Sequence, residues 1–206
     1  MKAKICGIMR EEDAELAAGL GADFLGVVMA PESKRSISAQ EARRILSCVS
    51  IPGVVVTTHS SLEELQEIAG NVAPSYLQLH SDVPVDVLEG LAGETKLIKT
   101  LRAVAGREIG EYTKLMREYA KYSEFFLLDG EKGGSGKTID WGMCAKIVAA
   151  APKPVFLAGG LNPENVREAI GVVRPFGVDV SSGVEECPGK KSAEKMRRFI
   201  EVANNG

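Results

Sequence analysis

The stretch PVFLAGGLNPENVREAIGVVRPFGVDVSSG, residues 154–183, carries the reading that decides the fold. It holds a short apolar run, Pro154–Ala158, then a glycine turn at Gly159-Gly160 and a helix signal. A second apolar run, Val178–Val180, ends at Ser181-Ser182-Gly183. The helix signal is specific. Asn162 stands at an N-cap with proline at the first helical position, and Val166, Ala169, Ile170 and Val173 form one apolar stripe. The runs are nearly continuous in apolarity rather than alternating, which suits parallel strands buried on both faces. Strand, turn, helix and strand in under thirty residues make one βα unit.

The same unit recurs on either side. Apolar runs fall at Ala3–Cys6, Phe24–Met29, Gly53–Thr57, Tyr76–Leu79, Lys96–Leu101 and Phe125–Leu128. Glu11, Glu12 and Asp13 load a first helical turn, where the macrodipole favours negative charge, and Gly21 stands where a terminating glycine would. Ser38 with Glu41 and Ser61 with Glu64 read as capping boxes before apolar stripes. Met196, Phe199, Ile200 and Ala203 mark a last helix, while the helix signals after the fourth and sixth strands are thin. Eight such units in 206 residues predict a single-domain (β/α)8 barrel over residues 1–206. An open doubly wound sheet would need a glycine-rich nucleotide turn first, and Cys6-Gly7-Ile8-Met9 is not one.

Composition narrows the partners. A formal net charge of −3 speaks against nucleic acid or an anionic membrane as the main partner, yet leaves room for a small anion at a local positive site. Apolar residues make up 45% and charged residues 26%, ordinary for a protein with a sizeable core. The N-terminus shows no signal peptide, and no run reaches the roughly 18 apolar residues of a membrane span. Cys6, Cys48, Cys144 and Cys187 lie far apart with no CxxC pair, so they read as reduced thiols and the expected compartment is the cytoplasm. His59 and His80 lack metal-ligand spacing and read as structural or hydrogen-bonding residues; no metal is expected.

In a barrel, chemistry collects at the C-terminal ends of the strands. Strand 1 ends at Cys6-Gly7, strand 2 leads to Ser33-Lys34-Arg35-Ser36, strand 4 ends at His80, strand 6 at Asp129 and strand 8 at Asp179. A thiol, a carboxylate and an arginine would therefore converge on one rim. Gly159, Gly160, Ser181, Ser182 and Gly183 follow strands 7 and 8, where this fold binds phosphate through backbone N–H groups. A glycine turn alone needs no ligand; two adjacent ones in a barrel point to a phosphorylated substrate. Gly136-Lys137-Thr138 resembles the end of a P-loop, but Glu131 stands where its first glycine should be. The segment 130–138 reads instead as a cover over the site that excludes water. Taken alone, Cys6 would be an inert small hydrophobe and Arg35 a solvated surface residue.

With these residues in place, the chain resembles the phosphoribosylanthranilate isomerases along nearly its whole length. The likeness is carried by Lys4-Ile5-Cys6-Gly7, by Ser33 to Ser38, and by Gln78-Leu79-His80. It continues through Leu128-Asp129 with Gly133 to Gly136, Leu157 to Leu161 with Pro163, and Gly177 to Glu185 with Pro188-Gly189. It implies an Amadori rearrangement of a phosphorylated aminosugar, without metal or organic cofactor, by a monomer or homodimer. It maps the general base onto Cys6, the general acid onto Asp129 and the group that meets the substrate carboxylate onto Arg35. Asp179 and His80 join as substrate-binding candidates. The histidine-pathway aminoaldose isomerases do similar chemistry but place aspartate where this chain has Cys6. The likeness breaks at Val55 to His59, at Ser81 and at Gly130-Glu131. The chemistry sets two expectations: a Cys6 thiol drawn below its usual pKa by a positive rim, and an Asp129 carboxyl raised by desolvation.

Overall fold

Eight parallel strands hydrogen-bond in sequence order and the first closes on the eighth, giving a barrel ringed by helices. The structure is a computed structural model, and it describes residues 1–104, 106–130 and 139–205. The order is β1 (Lys2–Ile5), α1 (Glu11–Gly19), β2 (Phe24–Met29), α2 (Ala39–Ser47), β3 (Gly53–Thr57), α3 (Leu62–Val72), β4 (Tyr76–Leu79) and α4 (Val85–Gly90). It continues with β5 (Lys96–Ala103), α5 (Ile109–Tyr119), β6 (Ser123–Gly130), α6 (Trp141–Ala150), β7 (Val155–Leu157), α7 (Val166–Val173) and β8 (Gly177–Val180). A 3₁₀ turn, Ser182–Val184, then leads into a small antiparallel hairpin, β9 (Glu185–Cys187) and β10 (Lys190–Lys191), before α8 (Ala193–Asn204). The P-loop-like segment and its role as a cover fall on residues 131–138, outside the described residues.

Because strand side chains alternate, each strand splits its residues between two cores. Ile5, Leu25, Val27, Val55, Leu77 and Leu128 face outward and meet helix residues such as Ala14, Ile45, Leu65, Ile147 and Phe199. The inward set fills the barrel: Phe24, Val28, Val54, Val56, Ile98, Leu127, Phe156 and Ala158, with Cys6 at one end. At the N-terminal end Phe24, Tyr76, Phe125, Phe156 and Phe176 stack into an aromatic plug, with neighbouring ring centroids 5.2–6.1 Å apart. Gly177 makes room for it, since a Cβ there would lie 2.6 Å from Phe156 Cε1.

The helix starts mostly follow the sequence. Ser38 and Glu41 form a complete capping box, whereas Ser61 caps α3 without the reciprocal bond from Glu64 to its backbone. One start differs from expectation: α7 begins at Val166 rather than after Asn162. Asn162 does cap a turn, accepting from the backbone N–H groups of Glu164 and Asn165. Asn165 is turned back instead, accepting from Asn162 N at 2.9 Å and donating to Gly160 O at 3.0 Å. Its side chain thus pins the glycine turn after β7 and delays the helix.

Candidate active site

At the C-terminal end of the barrel the inward positions change from apolar to polar. Lys4, Gln78, Thr100, Asp129 and Asp179 are all buried there, beside the Cys6 thiol. This follows from strand alternation: Phe24 gives way to Gly26 on β2, Tyr76 to Gln78 on β4, and Phe125 through Leu127 to Asp129 on β6. Every position proposed from the sequence lies on this one rim. Cys6 directly follows β1, Arg35 sits between β2 and α2, and His80 directly follows β4. Asp129 closes β6, Asp179 lies in β8, and the two glycine-bearing turns follow β7 and β8.

Lys4 Nζ donates to Asp179 Oδ1 at 2.7 Å, and the lysine side chain is fully buried. Strand register fixes the pair, because Lys4 stands opposite Asp179 in the β1–β8 ladder. Gly26 supplies the space. A Cβ there would lie 2.7 Å from Cys6 Sγ and 3.0 Å from Lys4 Nζ. The ammonium also lies close to the thiol over this glycine; burial alone would lower its pKa, but its carboxylate and thiol neighbours hold it up at about 12.

The thiol itself departs from expectation. Burial pushes the Cys6 pKa up, and the pull of Lys4 and Lys191 does not overcome it, partly because Asp179 pushes the same way as burial. Cys6 therefore rests as a thiol in the free protein. Asp129 follows its expectation: burial raises its carboxyl to about 6, with Asp179 adding to the rise and the Gly130 N–H, 2.7 Å away, opposing it. Cys6 and Asp129 both feel the charges of Lys4 and Asp179, so the thiol and the acid share one buried ion pair as a neighbour.

Arg35 is half-buried rather than solvated. Its Nε and Nη2 donate to the two carboxylate oxygens of Glu185 at 2.6 and 2.7 Å, a bidentate pair. Lys191 Nζ reaches the same carboxylate at 3.2 Å and Ser181 O at 3.1 Å. Gly7, with φ +70°, leaves the space into which Arg35 folds: a Cβ would meet Arg35 Cδ and Ser181 Oγ. His80 faces Gln78, whose Nε2 lies 2.8 Å from its Nε2 and 3.3 Å from Thr100 Oγ1. Burial, with Lys4, Arg102 and Lys99 nearby, pushes the His80 pKa down to about 3, so the imidazole is neutral. It can offer a hydrogen bond but no charge.

Gly159 and Gly160 have φ of +85° and +71°, and no Cβ fits at Gly183 against Leu161 O, so the two turns need these glycines. A cavity of about 360 Å³ opens beside the rim, lined by His80, Thr100, Arg102 and Arg107 among others. The larger cavity, about 750 Å³, is lined by Tyr76, Leu88 and Tyr122 at the opposite end, away from this chemistry. Among the described residues no cluster of His, Cys, Asp and Glu could hold a metal ion, and no helix is long and apolar enough to cross a membrane.

Sequence reasoning missed Lys4, Glu185 and Lys191. Lys4 had a readable signal: a charged residue inside an apolar run, two positions before Cys6 and so on the same strand face. Glu185 and Lys191 had none, because their partners are set by a hairpin that the pattern did not show.

The family model for N-(5′-phosphoribosyl)anthranilate (PRA) isomerase matches residues 3–202. The N-(5′-phosphoribosyl)anthranilate isomerase of Thermotoga maritima is 41% identical, with 98% of each chain covered, and that of Rubrobacter xylanophilus is 39% identical, with 99% of each covered. Among solved structures, the Thermotoga maritima enzyme superposes with a TM-score of 0.88 at 38% identity over the full length of both chains. A phosphoribosyl anthranilate isomerase in complex with reduced 1-(o-carboxyphenylamino)-1-deoxyribulose 5-phosphate superposes with a TM-score of 0.87 at 36% identity, again over both whole chains.

Proposed function

The chain belongs to the N-(5′-phosphoribosyl)anthranilate isomerase family, and from that premise we propose how its own residues carry the reaction. It isomerises N-(5′-phosphoribosyl)anthranilate to 1-(2-carboxyphenylamino)-1-deoxyribulose 5-phosphate in tryptophan biosynthesis, an aldose–ketose conversion. The observation that supports the mechanism is that Cys6 and Asp129 both neighbour the Lys4–Asp179 ion pair at one barrel mouth.

Asp129 is the general acid. A carboxyl held near 6 keeps a usable fraction of its proton at neutral pH, and the substrate's phosphate and carboxylate raise that fraction on binding. It protonates the ribose ring oxygen, the C1′–O bond breaks, and the anilino nitrogen's lone pair closes the iminium. Cys6, as thiolate, then takes the C2′ proton. The C–H electron pair becomes the C1′=C2′ bond of an enolamine, which tautomerises to the ketone. The reacting form is a minor one, with the acid protonated and the thiol ionised against their resting preferences. Between the two pKa values its population is constant. The kcat/KM profile should therefore fall below about pH 6 and again above the raised thiol pKa.

The remaining residues bind. The Arg35 fork, steadied by Glu185, meets the anthranilate carboxylate. Backbone N–H groups around Gly159, Gly160, Ser182 and Gly183, with the Ser181 and Ser182 hydroxyls, cradle the phosphate. Asp179 and neutral His80 face the sugar hydroxyls or the amine. By the likeness to the dimeric Thermotoga maritima protein the assembly is a homodimer, which light scattering would report as twice the chain mass.

The decisive experiment is turnover of purified protein on chemically made phosphoribosylanthranilate, followed by fluorescence, with Cys6→Ala and Asp129→Asn in parallel. Each variant should lose about 10²–10⁴ in kcat while melting like the parent, and a chelator should change nothing. Near-normal turnover in either variant removes that residue from the mechanism.

A further inference from the structure

We propose that Lys4 is a positioning residue for this reaction: its ammonium, shared between the Asp179 carboxylate and the Cys6 sulfur, is the counter-ion that lets Cys6 become a thiolate, and Asp179 limits how far it does so. The inference rests on the reading of Cys6 as the base.

Three observations on β1, β2 and β8 support it. Lys4 and Cys6 are two residues apart, so both enter the barrel from the same face of the chain, and the Lys4 side chain has no exposed surface. Register places Asp179 opposite Lys4, and the pair closes at 2.7 Å. Gly26 is bare where both polar ends converge, so sulfur and ammonium share the space of one missing methyl group. Burying a lysine and an aspartate is costly in desolvation, and an apolar pair of similar size would serve stability as well or better. A role in the chemistry accounts for an ion pair at this cost.

The other charges around the thiol are partly matched. Arg35 and Lys191, which approach from the loop after β2 and from β10, share the single carboxylate of Glu185 of β9, so one positive charge is left over there and Lys191 also draws on the thiol. His80 on the β4 side is neutral, and Asp129 on β6 is a carboxyl raised to about 6. Lys4 is the cation whose ammonium converges with the Cys6 sulfur over Gly26. It keeps its own proton throughout. The thiol proton leaves to water; the thiolate, paired with the ammonium, then accepts the C2′ proton as the C–H pair moves into the enolamine.

The test reads the thiol directly. The rate of iodoacetamide alkylation of Cys6, followed by mass spectrometry of its peptide across pH, gives its titration in the free protein. Lys4→Met should move that titration up by about one unit or more, and Asp179→Asn should move it down. A merely structural pair would shift both the same way or not at all. Lys4→Met should also lower kcat at least tenfold with KM little changed, and Lys4→Arg should restore part of both losses. If Lys4→Met does not fold, because Asp179 is left unpaired, the double variant Lys4→Met/Asp179→Asn replaces it. Its Cys6 must then titrate above that of Asp179→Asn alone. Identical titration in those two proteins, or an unmoved Cys6 in Lys4→Met, overturns the proposal. An active Cys6→Ala would instead sink the reading of Cys6 as base, while the alkylation curves would still report what Lys4 does to the sulfur.

Discussion

The two mouths of the barrel are built from the same strands, two to four residues apart, and they are chemically opposite. The N-terminal mouth is closed by Phe24, Tyr76, Phe125, Phe156 and Phe176, all carbon apart from one phenol, mostly in edge-to-face contact with Phe125 stacked on Phe176. The C-terminal mouth holds Lys4, Asp179, Asp129, Gln78 and Thr100, all buried and mostly charged or hydrogen-bonded. Aromatic burial at one end offsets the desolvation of ions at the other. The difference teaches that stability and chemistry are separated along each strand rather than among strands. Alternation of side chains is what makes that separation possible.

Asp129→Asn against Phe156→Ala is the sharpest way to break this comparison. The first should lower kcat about 10²–10⁴-fold with a melting curve near that of the parent. The second removes a fully buried ring from the plug and should cost about 3–5 kcal/mol in denaturant unfolding, with turnover per folded molecule largely kept. If Phe156→Ala cut kcat as deeply as Asp129→Asn in protein shown to be folded, the two mouths would be one functional unit.

Legibility in the sequence followed the same division. β2 and β3 have the predicted boundaries because they are apolar almost to their last residue, and β4 keeps them although its inward Gln78 is polar. β5 and β6 run on to Ala103 and Gly130, past the predicted ends, since the exposed Arg102 at the rim and the buried Asp129 inside the mouth continue the strands as polar residues. Apolarity marks a strand only while its interior is dry. Cys6, Asp129 and the glycines of the last two turns were readable because each punctuates the end of a run, and the family likeness gave them roles. The direction of the Cys6 pKa was not readable. It depends on burial outweighing a lysine whose own charge is shared with Asp179. Glu185 stood in the likeness without a task, because its partner Arg35 lies 150 residues away in sequence.

The polar mouth should also govern acid stability. His80 titrates at about 3 in the fold against 6.5 unfolded, so the unfolded chain binds more protons and stability is lost as pH falls through that window. Asp129 runs the other way: its folded pKa of about 6 against 3.8 makes the fold gain stability as pH falls from 6. The histidine's displacement is the larger, so its loss prevails. Thermal melts at pH 7 and 4.5 should show a smaller acid loss in His80→Gln than in the parent, and a larger one in Asp129→Asn. Equal acid sensitivity in all three proteins would mean that the mouth is open to water in the native state.

Gly26 lies where the two regimes meet on β2, between Phe24 of the plug and Val28 above it. A Cβ at that position would press on Cys6 Sγ at 2.7 Å, Lys4 Nζ at 3.0 Å and Cys6 Cα at 3.2 Å. The first two atoms end side chains and can shift; the third is backbone and yields only by a few tenths of an ångström. Gly26→Ala should therefore cost only about 1–3 kcal/mol, in the range of mild overpacking, and leave the aromatic plug intact. Its effect on the chemistry should be disproportionate, because moving a reacting sulfur by even part of an ångström costs rate out of proportion to the strain. A fall in kcat of about tenfold or more, with a small change in melting temperature, would place the boundary between the two regimes at this residue. A variant with lowered stability and unchanged kcat would move it further up the strand, toward Val28.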